Sequence, residues 1–195
     1  ATNSSTPIIR ADKDWTVSFW FKTDESNAIG DFVATGYNDG FQCGVSSSTG
    51  YKLRLQTREN DVYTAKNFGT GNMLNDGNWK HIVITFKGVG TLGDSWNWDA
   101  HATSESTVGV SFYVNGARIA AESSGTNNDS FSSAEETSWF RRLGYAWQSM
   151  TGLYDELAIF NEHKTASEIS SMYNTGTPTD LTLDTSCVSL LKADS

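Results

Sequence analysis

A strand followed by a single short helix, close to the end of the chain, constrains the fold most strongly. Residues 152–161 (GLYDELAIFN) have the composition of a β-strand. Residues 165–173 begin with the capping-box pattern Thr165-Ala166-Ser167-Glu168, and Gly176 and Pro178 follow as stop signals. Because the rest of the chain shows the two-residue period of strands, one late helix predicts an all-β protein whose two antiparallel sheets pack as a jelly-roll sandwich.

Alternating apolar and polar residues predict the other strands. In residues 15–21 every odd position is apolar, which is typical of a strand with one face in a core. Residues 79–86 are apolar on both faces, which indicates a central strand. The Asn115-Gly116 pair predicts a tight hairpin within residues 111–120, because both turn positions need a positive φ. Further strands are predicted at residues 31–35, 41–46, 52–56, 62–68, 141–145 and 153–160.

Length, charge and cysteine count limit the class of protein. A chain of 195 residues is within the range of one β-sandwich, so we predict a single domain over residues 1–195. Its 23 acidic and 14 basic residues give a net charge of −9, which disfavours nucleic acid as a partner. No apolar run reaches the roughly 20 residues that cross a bilayer, so no membrane insertion is expected. Cys43 and Cys187 leave open whether they form a disulfide or stay free.

Four segments, taken in order, resemble one family. They are DWTVSFWFKT (14–23), NWKHIVITF (78–86), SFYVNGARIA (111–120) and GLYDELAIFNEHKTASEISSMYN (152–174). This order is similar to that in laminin-G-like modules of the concanavalin A-like lectin/glucanase superfamily. The resemblance implies a Greek-key sandwich and an extracellular, cell-surface or virion-surface location. It does not identify a ligand, because this fold carries many functions.

A hydrolytic site would need acidic residues that share one face of a strand, as in the glucanases of this superfamily. The acidic pairs are Asp24-Glu25 at a strand end, Glu135-Glu136 in a predicted loop and Asp155-Glu156 in a strand. Neighbours in a strand point to opposite faces, so Asp155 and Glu156 do not form such a pair. His81, His101 and His163 lie in separate predicted elements, and His81 in an apolar strand is expected to be a hydrogen-bonded core residue. We therefore predict that the chain is not an enzyme.

Calcium is the cofactor that the resemblance implies, since calcium is common at the loop rims of this family. Calcium takes several carboxylate and carbonyl oxygens, which such rims supply. Asp155, in the stretch Gly152-Leu153-Tyr154-Asp155-Glu156, is the first candidate ligand, and Asp39 and Asp31 are weaker ones. The alternative for Asp155 is that it only hydrogen-bonds nearby backbone.

Tryptophans in a long polar segment are the candidates for binding a sugar. Segment 88–107 is longer than a short hairpin loop and contains Trp96, Trp98, Asp99 and His101. Flat apolar rings beside hydrogen-bonding groups suit a sugar ring, so these residues, together with Trp147, are the predicted ligand-binding set. The alternative is that both indoles of this segment fold back and cover the open end of a sheet. The tryptophans predicted to be buried or half-buried in strands are Trp15, Trp20 and Trp79.

Three functions are consistent with this pattern. The favoured one is a non-catalytic carbohydrate-binding or adhesion module of a secreted, cell-surface or virion-surface protein. The second is a structural module of a phage fibre or decoration assembly that contacts other surface proteins and binds no sugar. The third, with the least support in the sequence, is a glycan-cleaving enzyme.

Overall fold

The computed structural model describes residues 8–25, 30–34, 40–46, 52–59, 62–91, 94–122, 126–127 and 152–192. The strands are β1 (Trp15–Lys22), β2 (Gly30–Ala34), β3 (Gly40–Ser46), β4 (Lys52–Glu59), β5 (Val62–Phe68), β6 (Lys80–Lys87), β7 (Trp96–Asn97), β8 (Gly109–Val114), β9 (Ala117–Ile119), β10 (Thr126–Asn127), β11 (Leu153–Phe160) and β12 (Cys187–Leu191). The α-helix is α1 (Ala166–Tyr173), and 3₁₀ turns occupy Ala100–Ala102, Asn174–Gly176 and Leu181–Leu183. None of the helices in these ranges is long and apolar enough to span a membrane.

The strands form two sheets. In the larger sheet the order is β10-β7-β8-β6-β1-β11-β12, and β9 pairs with the free part of β8. The smaller sheet has the order β2-β3-β4-β5. All pairs are antiparallel apart from a parallel contact of β7 with β8 at Asn97 and Gly109. Within the described residues, the predicted all-β, two-sheet antiparallel sandwich with one short α-helix is confirmed.

The core lies between the two sheets. From the larger sheet, β1 directs Trp15 and Phe19 into it, and these rings meet Phe41 and Phe32 of the smaller sheet at centroid distances of 5.1 and 5.3 Å. The strands of both sheets bury their inward residues almost completely, as expected when two sheets pack face to face. Most polar side chains of the described strands therefore lie on the two outer faces and at the rims, although Thr57 of β4 is buried on the inner face.

The helix covers part of the outer face of the larger sheet. Its Ile169 is buried against Val83 of β6 and Tyr113 of β8, so β6 is covered on both faces as predicted for a central strand. The predicted capping box is present: the Glu168 amide donates to the Thr165 hydroxyl, and the Thr165 amide donates to the Glu168 carboxylate at 2.8 Å. These bonds satisfy two amides that a helix start otherwise leaves unpaired.

Most strand predictions agree with the structure. The hairpin between β8 and β9 turns at Asn115 and Gly116, whose φ values are 52° and 74°. Both cysteines are free, with Cys43 buried in the smaller sheet and Cys187 on β12 of the larger sheet. The predicted strand at residues 141–145 lies outside the described ranges. One position differs from its prediction: β6 begins at Lys80, and Trp79 just before it is 39% exposed.

Candidate functional site

Trp96 and Trp98 do not form an exposed platform. Both side chains are 0% exposed, with ring centroids 4.6 Å apart, and Trp96 also packs edge-on against Phe86 at 5.3 Å. The reason is that Trp96 and Asn97 form the short strand β7 at the side of β8, so residues two apart point to the same face, here the core. The prediction of a stacking surface in segment 88–107 is wrong for these two residues, and the alternative that they cover the sheet is confirmed.

Asp99 and His101 are engaged with other side chains. The Asp99 carboxylate accepts from Nη1 of Arg118 at 2.6 and 2.7 Å and from the Ala121 amide at 3.2 Å. The Nδ1 atom of His101 lies 2.5 Å from the Tyr113 hydroxyl. These contacts hold segment 99–102 against β8 and β9. They leave a ligand-binding role of Asp99 and His101 as a prediction, and Trp147 lies outside the described ranges.

His101 and His163 meet, although the sequence placed them in separate elements. Their Nε2 atoms are 2.7 Å apart, and the rings are nearly perpendicular. Burial, together with the charge that His163 would carry, lowers the pKa of His101 to about 4. Burial also lowers the pKa of His163. The pair is therefore neutral near pH 7, and one of the two facing nitrogens donates a hydrogen bond that the other accepts.

The predicted calcium ligands are not gathered in the part of the chain that the structure describes. Asp155 lies in β11 of the larger sheet and Asp31 in β2 of the smaller one, and Asp39 falls outside the described ranges. The Oδ1 atom of Asp155 accepts the amide of Glu156 at 2.8 Å, at a shift in the β1–β11 register where Glu156 has a φ of 48°. No three His, Cys, Asp or Glu side chains of the described ranges could hold a metal together. Calcium at Asp155 stays a prediction that would need further ligands.

The acidic pairs differ in their surroundings. Asp24 and Glu25 are exposed just after β1. Burial raises the pKa of Glu156, and the nearest cation, the Nζ of Lys192, is 3.8 Å from its Oε1 atom. His81 is a core residue as predicted: it is buried, and its Nε2 atom lies 2.8 Å from the Ser18 hydroxyl.

A cavity of about 270 Å³ separates α1 from residues 179–184. The buried ammonium of Lys164 lines it and lies 2.7 Å from Asp184 and 3.0 Å from the Ser186 hydroxyl, with Glu162 as a third partner. Glu168, also on the wall, is part of the helix cap. Because these charged groups satisfy one another, the cavity is explained by the packing of the C-terminal segment against the helix.

Trp79 differs from the other tryptophans of the described ranges. Trp15, Trp20, Trp96 and Trp98 are all buried, whereas Trp79 is 39% exposed. Within those ranges the indole of Trp79 packs against no other ring and makes no hydrogen bond, so its exposed part is not engaged by a neighbouring side chain of either kind. The sequence pattern did not identify Trp79 as an exposed residue. An aromatic residue just before an apolar strand gives the same pattern whether it is the first buried residue of the strand or an exposed residue that precedes it.

Sequence neighbours and strand register place polar and apolar residues near Trp79 at one end of the larger sheet. The register that pairs Phe21 with Lys80 brings Trp79 next to Lys22, and Lys22 in turn pairs with Leu153, which is 60% exposed. On the chain just before Trp79, the exposed Asp76 accepts from the Asn78 amide at 3.0 Å and from Lys80 Nζ at 2.6 Å. We call the residues Lys22, Asp76, Asn78, Trp79 and Leu153 the Trp79 rim.

The comparison with protein families agrees with this architecture. Residues 2–170 match the model of a laminin G domain family, described as concanavalin A-like lectin/glucanases superfamily. The chain belongs to this family. The family model ends within the helix region, and the residues after it add β12 to the edge of the larger sheet.

Solved structures with the same fold are distant in sequence. The CBM40 of the Ruminococcus gnavus IT-sialidase is 12% identical, with a TM-score of 0.51 over 84% of each chain. The botulinum neurotoxin serotype G binding domain is 15% identical, with a TM-score of 0.53 over 89% of this chain, which spans 38% of that domain. At this identity the likeness concerns the jelly-roll fold alone. A search of curated proteins found no match.

Proposed function

We propose that this domain is a non-catalytic carbohydrate-binding module and that Trp79 is its sugar-stacking residue. Membership of the lectin/glucanase superfamily supports the class of function. The observation that carries the site is the partial exposure of Trp79, 39%, which contrasts with the four buried tryptophans of the described ranges. A sugar presents an apolar C–H face and a rim of hydroxyls, so it needs a flat ring beside hydrogen-bonding groups.

The Trp79 rim supplies both kinds of group. The Lys80 ammonium holds the pKa of Asp76 below its usual range, so this carboxylate is ionised and accepts hydrogen bonds near neutral pH. The Asn78 side chain is exposed and offers donors and an acceptor. Lys22 forms no ion pair in the described ranges and offers an ammonium. Leu153 extends the apolar surface on the other side of Lys22.

A glycan array tests this proposal. The wild type is expected to bind at least one class of neutral glycan, and Trp79→Ala is expected to weaken that binding by about tenfold or more, equivalent to about 1.4 kcal/mol. Leu183→Ala is the matched control, because it also truncates an exposed apolar side chain, 87% exposed, in the 3₁₀ turn Leu181–Leu183, which is not part of the Trp79 rim. A silent array, or equal binding by wild type and Trp79→Ala, would contradict the proposal.

The setting of the module is part of the proposal. A secreted, cell-surface or virion-surface protein is the context in which a lectin-like module meets glycans. Calcium is proposed only through Asp155, which lies two residues after Leu153 of the Trp79 rim on β11.

A second candidate function is a structural module of a surface assembly. It is favoured by the apolar side chains exposed near β12, which is the edge strand of the larger sheet within the described ranges: Leu183, Val188 and Leu191. A strand edge with exposed apolar residues is suited to contact another protein. Light scattering after size-exclusion chromatography separates the candidates, because a self-assembling module elutes as an oligomer that Leu191→Glu converts to a monomer.

A further inference from the structure

A polar surface lies on the outer face of the smaller sheet, on the other side of the sandwich from α1. In β4 the residues Leu53, Leu55 and Thr57 are buried, so Lys52, Arg54 and Gln56 project from the opposite face. The register places Gln42 and Gly44 of β3 on one side of this row and Ala65 and Asn67 of β5 on the other. We call the residues Gln42, Lys52, Arg54, Gln56 and Asn67 the Arg54 face.

Hydrogen bonds orient the guanidinium at the centre of this face. Nη2 of Arg54 donates to Oε1 of Gln56 at 2.6 Å, and Nε2 of Gln56 donates to Oε1 of Gln42 at 3.3 Å. This chain of bonds runs across β4 and β3 and uses one of the five N–H groups of the guanidinium. Gly44 of β3 is the register partner of Arg54. A glycine is required at this position because a side chain there would collide with the backbone of Gly30 and Asp31.

Arg54 is unusual among the cations of this protein because no carboxylate of the described ranges pairs with it. Most other cations do pair: Arg10 with Asp12, Lys52 with Glu122, Lys80 with Asp76, Lys87 with Asp14, Arg118 with Asp99, and Lys164 with Glu162 and Asp184. In a chain of net charge −9, acidic partners are plentiful. The neighbouring Glu122 is already used, since it accepts from Lys52 and from Nδ2 of Asn67.

We propose that the Arg54 face binds a carboxylate-bearing sugar residue, such as a uronic or sialic acid, through a two-pronged contact with Arg54. The planar fork of a guanidinium matches the two oxygens of a carboxylate, and such paired, charge-assisted bonds are the strong ones. The side chains of Gln56, Asn67 and Lys52 stand around it to contact sugar hydroxyls. On this face Lys52 is paired with Glu122, and Arg54 is the cation without a carboxylate partner in the described ranges. A single negative charge therefore fits better than a doubly charged phosphate, since the chain as a whole repels anions.

This site is separate from the Trp79 rim, which lies on the larger sheet, so the two proposals succeed or fail independently. The probes are oligogalacturonate, a glucuronate-containing oligosaccharide and a sialylated oligosaccharide, each compared by calorimetry with its methyl ester, which keeps the sugar and removes the charge. The wild type is expected to bind at least one acid more tightly than its ester, and less tightly at high salt because exposed charges are screened.

Two substitutions separate charge from geometry. Arg54→Gln is expected to weaken binding of the acid by about tenfold or more. Arg54→Lys keeps the charge without the fork and is expected to fall between Arg54→Gln and the wild type. Lys13→Gln is the matched control, since it removes one exposed positive charge elsewhere, and it should bind as the wild type does. Thermal melts establish that each variant is folded.

Three outcomes would overturn the proposal. The first is that none of the acids binds, or that acid and ester bind equally. The second is that Arg54→Gln, folded, binds the acid as tightly as the wild type. The third is that Trp79→Ala abolishes binding of the acid while both Arg54 variants keep it, which would assign the acid to the Trp79 rim.

Discussion

Truncating Trp98 tests whether the long polar segment belongs to the core. The side chain is 0% exposed and packs on Trp96 at 4.6 Å, so Trp98→Ala leaves a cavity at the end of the sandwich. Such truncations of buried aromatic residues cost about 3–5 kcal/mol. For a domain of this size, each kcal/mol lowers the melting temperature by about 2–4 °C, so we expect a decrease of about 6–20 °C.

Two further variants serve as references for Trp98→Ala. Melting temperatures are measured by circular dichroism for the wild type, Trp98→Ala, Trp98→Phe and Trp79→Ala. Trp98→Phe should cost less than Trp98→Ala, because it keeps a ring and removes an indole N–H that is buried without a partner in the described structure. Trp79→Ala should cost about 1 kcal/mol or less, as expected near the surface. A Trp98→Ala protein that melts within about 2 °C of the wild type, a shift that corresponds to about 1 kcal/mol or less, would refute the burial of this segment.

Three further predictions concern stability. Burial lowers the pKa of His81 from 6.5 to about 4. The contribution of this residue to the free energy of unfolding is therefore fully present above pH 6.5 and falls by about 3 kcal/mol towards pH 4. Urea unfolding of the wild type and of His81→Asn at both ends of this pH range should show that the stability of the variant depends less on pH. Thr165→Ala removes the helix cap and should cost about 1 kcal/mol in urea unfolding, whereas an unchanged midpoint would mean that the capping box contributes nothing. Calcium, if Asp155 ligates it, should raise the melting temperature by mass action, and Asp155→Asn should remove that rise. A melting temperature that neither calcium nor chelator changes would mean that the carboxylate of Asp155 only accepts hydrogen bonds such as that from the Glu156 amide.

Local signals in the sequence account for the parts of the fold that were predicted. The apolar odd positions of β1 are buried because the two-residue period of a strand directs them to one face. The Asn115-Gly116 turn and the Thr165–Glu168 capping box were identified because each depends on residues within four positions of one another. Such features need no knowledge of the rest of the chain.

The candidate site was harder, because exposure depends on where distant segments pack. The polar composition of segment 88–107 favoured a loop, but a two-residue strand was enough to turn Trp96 and Trp98 into the core. Trp79 was predicted to be a buried or half-buried strand residue but is partly exposed. The start of β6 at Lys80, which the sequence pattern does not determine, places it just outside the buried strand.

Contacts between residues far apart in the chain left no signal in the sequence. His101 and His163 are 62 positions apart, and their contact follows from the docking of the turn before β8 against the segment that leads into α1. The alternation of Lys52, Arg54 and Gln56 did predict a strand with one wet face. That Arg54 meets no carboxylate within the described ranges depends on the register of three strands, which alternation does not determine.

Proton–nitrogen NMR of the indole groups tests the central claim most directly. The Trp79 signal is assigned by its loss in Trp79→Phe, and the domain is then titrated with the neutral glycan that binds best on the array. We predict that the Trp79 indole signal shifts in proportion to the bound fraction, while the signals of the buried Trp96 and Trp98 stay in place. Saturable binding that leaves the Trp79 signal unmoved would contradict the account.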